Sequence, residues 1–127
     1  MKVLYISGPF SHHDLIHQVE VNILRASAVA LEGWRKGWSV FCPHKNTAGF
    51  QHAHDVDWET WVRGDLEVLL RLVPGKGDAI CMLPGWRQSD GARWEKQLAE
   101  KCGLRVIDYE TGGLPEAYDA PAEGGPS

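Results

Sequence analysis

The 127-residue sequence has no paired-cysteine motif. Its three cysteines, Cys42, Cys81 and Cys102, are odd in number, widely spaced and never arranged as CxxC. That argues against a disulfide framework or a zinc ribbon, and all three read as reduced, small apolar residues. No segment approaches the roughly 20 apolar residues of a membrane span. The opening MKVLYIS is a short apolar run ended by Gly-Pro, unlike a secretory leader, so a cytoplasmic chain with no membrane partner is expected. Basic charge is not in excess either: 13 Lys and Arg against 17 Asp and Glu give a formal net charge of -4 and a pI near 5.8. A nucleic acid polymer is therefore an unexpected partner, although a small phosphorylated ligand needs only a few local donors. GxGxxG and GxxxxGKS are both absent, so no standard nucleotide fingerprint applies. There is no internal repeat, and 43% hydrophobic content over this length suits one compact core.

What is present is an alternation of apolar runs and helical patterns, the signature of a parallel sheet with helices packed on it. Val3 to Ser7 read as a first strand. A helix is expected from Val19 to Lys36, with Ile23, Ala26, Ala30 and Trp34 at helical spacing and Gly37 as its stop. Ser39 to Cys42 form a second strand, and the His-rich stretch from His44 to Asp55 reads as a long functional loop. A second helix is expected from about Asp57 to Val73, with Trp61, Leu66, Leu69 and Leu70 on its apolar face, before a third strand from Ala79 to Leu83. A third helix from about Gly91 to Lys101 and a fourth strand from Leu104 to Ile107 complete a domain over 1–111. The Gly-, Pro- and acid-rich segment 112–127 is expected to be a disordered tail.

In an open parallel sheet, ligands bind beyond the carboxyl ends of the strands. The unusual residues cluster there, in GPFSHHD, PHKNTAGFQHAHD and PGWRQSDGARWE. Gly8 and Pro9 lie in a turn whose amides could cradle a phosphate or ribose, with a purely structural turn as the alternative. Ser89 stands at a helix N-terminus that favours an anion, or is simply an N-cap. Glu95 is a candidate nucleophile, against the plainer reading of a solvated helix residue. Asp65, one turn beyond Trp61, offers a second carboxylate for acid-base work, or a surface ion pair with Arg63 or Lys76.

The order YISGP, CPHKNT, DxxxWVRGDLEVLL, GDAICMLPGW and SDGARWEKQLAEKCGLRVI resembles the nucleoside 2-deoxyribosyltransferase-like superfamily, which includes the 2′-deoxynucleoside 5′-monophosphate N-glycosidases. The resemblance spans roughly residues 1–108, and its most specific part is the Ser-x-Gly-x-x-x-Glu segment, here Ser89, Gly91 and Glu95. It implies a flavodoxin-like (Rossmann-like) three-layer sandwich and a homodimer in which each subunit helps complete its neighbour's site. The resemblance places the nucleophile on Glu95, the acid near the leaving base on Asp65 and a supporting tyrosine on Tyr5, with Gly8 in the matching turn. The serine matching Ser89 holds a 5′-phosphate in the monophosphate hydrolases, which favours a nucleotide over a free nucleoside. Three departures stand against a close match. The His12-His13 loop lacks a phosphate-binding arginine, VPGKG lengthens the link after Asp65, and no asparagine of the transferase kind follows.

The activity so implied is cleavage or transfer of the N-glycosidic bond of a nucleotide or nucleoside by double displacement. It needs no metal and no cofactor. Trp86 and Trp61 are candidates to stack on the base, while Trp34 and Trp38 read as core. Trp58 and Val62, taken as exposed on the second helix, are assigned to the dimer interface. Two rivals belong to other classes: a metal site of His44, His52, His54 and Asp55, and a nucleotide-binding or sensor module of the same fold without chemistry.

Overall fold

A computed structural model describes residues 1–10, 16–50 and 53–118, with the main chain alone at 16 and 17. Its four strands are β1 (Val3–Ser7), β2 (Ser39–Phe41), β3 (Ala79–Met82) and β4 (Arg105–Asp108). All pair in parallel in the order β2-β1-β3-β4. Helix α1 (Ile16–Arg35) covers one face of the sheet, and α3 (Trp58–Leu69) and α4 (Asp90–Lys101) cover the other. Two single-turn helices, α2 (Pro43–Asn46) and α5 (Tyr109–Gly112), follow β2 and β4. This is the three-layer α/β arrangement of flavodoxin-like folds. Strand order reverses between β1 and β3, which opens a crevice at their carboxyl ends.

The period-two alternation of β1 divides the core into its two halves. Leu4 and Ile6 pack with Ala26, Val29 and Ala30 of α1, whereas Tyr5 packs with Ile80, Met82, Leu69, Ala92 and Ala99 on the opposite face. Each such large apolar side chain contributes about 1.5–3 kcal/mol on full burial. The buried carboxylate of Asp78 ties the sheet's lower edge by accepting from the amides of Val3 (2.8 Å) and Val73 (2.7 Å).

Some boundaries and faces differ from expectation. Trp34 is 51% exposed rather than core, because Val29, Ala30 and Gly33 take the inner stripe of α1 and leave Trp34 at its edge. A Cβ on Gly33 would come within 2.8 Å of Val40, so the helix lies close on β2. The second helix ends at Leu69, leaving Leu70 exposed, and Leu72 beyond the helix is buried instead.

The expected disordered tail is also corrected over 112–118. Leu114 and Ala117 are buried, and the Trp38 indole N–H donates to the Pro115 carbonyl (2.9 Å). Lys36 Nζ donates to the Leu114 carbonyl (2.5 Å), and the Ala117 amide donates to the Lys36 carbonyl (2.9 Å). Two apolar residues and four main-chain groups suffice to pin a segment whose composition alone reads as loose. Residues 119–127 lie outside the described residues.

Candidate active site

Glu95 is the centre of the site, and the local sequence explains its position. Gly85 adopts a left-handed conformation (φ 89°) that turns the chain out of β3. A short 3-10 turn, Trp86–Gln88, leads to Ser89, whose hydroxyl caps α4 by accepting from the Ala92 amide (3.2 Å). Along α4, Ala92, Glu95 and Ala99 are buried, a spacing of three and four that marks the face turned to the sheet. Alanine on either side lets the helix approach closely, so the carboxyl group meets the end of β1.

There the alternation of β1 supplies two donors on one face. Tyr5 donates its hydroxyl proton to Glu95 Oε2, and Ser7 donates to Glu95 Oε1 at 2.5 Å. The Tyr5 hydroxyl oxygen also lies 3.4 Å from the main-chain carbonyl of Asp65. Burial raises the Glu95 pKa to about 7; the Ser7 and Tyr5 hydrogen bonds hold it down, and the Asp65 charge pushes it up further. Asp65 is raised to about 6 by burial. The Tyr5 phenol is held well above its ordinary value by burial and then by the Glu95 charge. Two carboxyl groups with raised proton affinities therefore share one region, as acid-base and nucleophilic sites require.

Both carboxyl groups line a cavity of about 510 Å³ at the carboxyl ends of the strands. Gly8, Ser89, Gly91 and Trp61 line it too, so most of the residues singled out from the sequence come together. Gly8 also has a packing reason to be glycine, since a Cβ there would fall 2.8 Å from Leu83. Pro9 takes part through its carbonyl, which accepts from His44 Nε2 (2.9 Å). Trp61 pairs with Phe50, their ring centroids 5.9 Å apart.

Two assignments change. Trp86 is not among the residues lining the cavity; it packs half-buried against the core beside α4, with the Arg87 guanidinium 4.5 Å and Lys96 Nζ 5.1 Å from its ring. Trp58 and Val62 are half-buried cavity residues rather than an exposed strip, and Trp58 packs on Trp94 (5.7 Å). Among the described residues, no three His, Cys, Asp or Glu side chains are gathered to hold a metal. Within the rival metal set, His44 is buried on Pro9, His54 and Asp55 are exposed, and His52 lies outside the described residues.

Ser7 was not singled out by the sequence reading. Its signal was there, since a residue two positions after Tyr5 on a strand must share its face. His44 was singled out only as a metal ligand. The ring lies edge-on to Phe10 (5.3 Å) in the cavity wall, and its Nδ1 is buried without a hydrogen-bond partner among the described residues.

A parallel sheet with this strand order and a buried, doubly hydrogen-bonded carboxyl group at its switch point defines an α/β domain with a cavity at the carboxyl ends of its strands. By sequence, the chain belongs to the family described as Domain of unknown function (DUF4406), whose match covers residues 2–108. No curated protein matches it. Among the described residues, no helix is long and apolar enough to cross a membrane.

Proposed function

We propose that the protein cleaves or transfers the N-glycosidic bond of a 2′-deoxynucleoside or its 5′-monophosphate, as a nucleoside 2-deoxyribosyltransferase-like enzyme. The observation that carries this reading is the Glu95 carboxyl group, held at both oxygens by Tyr5 and Ser7 in a cavity wall it shares with Asp65. Two fixed donors orient a carboxylate for attack at one carbon, and a second carboxyl group with raised proton affinity suits a leaving base.

In the proposed sequence, an ionised Glu95 oxygen attacks C1′. The C1′–N bond breaks, its electron pair goes to the base, and Asp65 delivers a proton there. Water, deprotonated by Asp65, then attacks C1′ and releases Glu95 as carboxylate; a second base in place of water gives transfer. Trp61 and Phe50 offer aromatic surface for the base.

Glu95→Gln is expected to keep ligand binding and abolish base release, because an amide has the shape but cannot attack. Chromatography of free base, together with mass spectrometry for a deoxyribosyl adduct on the Glu95 peptide, tests this. Full activity in Glu95→Gln would remove the mechanism. A wild type that binds these ligands but releases no base would favour the binding module.

A homodimer belongs to the same reading. Leu24, Leu31 and Trp34 remain about half or more exposed on α1, and Trp94 is 45% exposed beside the cavity residue Trp58, apolar surface that a second copy would cover. Light scattering at micromolar concentration should return twice the chain mass of 14.1 kDa, and a monomer would end that part of the proposal.

A further inference from the structure

The charge of the cavity wall narrows the substrate class, an inference that rests on the glycosidic reading above. Among the described residues, four acidic side chains line the cavity, Asp57, Glu59, Asp65 and Glu95, and no lysine or arginine does. The segments outside the described residues cannot supply one: SHHDL, QH and DAPAEGGPS contain neither residue type.

Two histidines line the wall, His44 and an exposed His54, and His44 does not replace that cation. His44 Nε2 faces the Pro9 carbonyl at 2.9 Å, and a carbonyl only accepts, so Nε2 carries the proton. Burial lowers the His44 pKa, leaving the ring neutral and Nδ1 an acceptor with no partner among the described residues. The hydroxyl donors are few and partly used. Thr47 Oγ1 donates to the Pro43 carbonyl (3.3 Å), while Ser89 Oγ accepts from the Ala92 amide and keeps one proton to give. The first turn of α4 adds about half a positive charge. Burial leaves Glu95 and Asp65 partly protonated near neutral pH, but Asp57 is held below its usual value by Thr60, so its charge persists. Among the described residues of the wall, carboxyl groups thus outnumber lysine and arginine.

We infer that the site selects an uncharged, donor-rich nucleoside, recognised through its hydroxyl and amino protons, and discriminates against the matching 5′-monophosphate. A phosphate dianion would enter a wall of its own sign with no lysine or arginine among its described residues to meet it. The Ser89 match to a phosphate-holding serine is then a helix cap kept without the phosphate role.

The test uses the full chain and matched pairs of each deoxynucleoside with its 5′-monophosphate, followed for base release and, by calorimetry, for binding. The nucleoside is expected to show kcat/KM and affinity higher by roughly tenfold or more. That gap should shrink as salt rises, because repulsion is screened, and Glu59→Lys should narrow it by strengthening monophosphate binding. If neither ligand is cleaved, the glycosidic reading fails while the binding comparison still decides this inference. Tighter monophosphate binding, a gap indifferent to both salt and Glu59→Lys, or no binding of either ligand would each overturn it. A monophosphate preference that appears only with dimer formation would place the cation on a second copy and overturn it as well.

Discussion

Glu95 is subject to opposed demands: burial favours its neutral acid, and the Tyr5 and Ser7 hydroxyls favour its carboxylate. The outcome is a pKa of about 7, above the 4.5 of an unperturbed glutamate. A carboxyl group raised in this way lends its stability below about pH 4.5 and loses it as pH rises through about 7, where the buried group must ionise. Glu95→Gln cannot ionise. It is therefore expected to be more stable than wild type at pH 8, by up to roughly 3 kcal/mol, with the difference closing by about pH 4. Denaturation curves at the two pH values check this, and a pH-independent difference would contradict it. Catalysis has its own profile. Attack needs Glu95 ionised and base departure needs Asp65 protonated, so kcat/KM should be bell-shaped, with its maximum between about 6 and 7. Asp65→Asn should lose the alkaline limb and should be impaired least for a good leaving group; an unchanged profile in that variant would exclude Asp65 as the acid.

At the scale of the element, α4 is a lever between a turn and the reactive carboxyl group. Gly85, the 3-10 turn and the Ser89 cap set where the helix begins, and Glu95 follows at the second turn on its buried face. Ser89→Ala removes the acceptor for the Ala92 amide and is expected to cost about 1 kcal/mol of stability. With the cap as its only role, binding of a nucleoside and of its monophosphate should weaken alike. Calorimetry with both ligands separates the possibilities, since a loss confined to the monophosphate would return the phosphate role to Ser89. Strand β1 works as the fixed counterpart: its alternation makes Tyr5 and Ser7 a pair and leaves Leu4 and Ile6 to the other core.

Across the whole molecule, the segment after β4 closes the α1 face rather than trailing from it. Truncation after Gly112 would expose the Trp38 surroundings, remove the acceptor of its indole N–H and strip Leu114 from the core. The loss expected is about 2–4 kcal/mol, from one large apolar side chain and one buried donor left unpaired. Thermal unfolding of the truncated chain measures it, and an unchanged midpoint would mean that this segment contributes nothing to the fold. Truncation after Tyr118 keeps every one of these contacts and serves as the control.

The sequence by itself determined the elements and their order. Hydrophobic periodicity is a local property, and Gly and Pro punctuate it, so four strands, three long helices and the ligand edge of the sheet were legible. The neighbourhood of Glu95 was legible only through motif resemblance, because spacing along a helix gives a residue's face but not its partner. Tertiary structure decided that Ser7 and Tyr5 grip the two oxygens of one carboxyl group, residues 88 and 90 positions away in the chain. It also decided that Trp86 packs beside α4 while Trp61 lines the cavity, that Trp34 is exposed while Trp38 is buried, and that 112–118 is packed. An aromatic or proline-rich composition is compatible with either outcome. The choice depends on whether the sheet leaves an unfilled space and an unpaired donor opposite, and that is set by contacts distant in sequence.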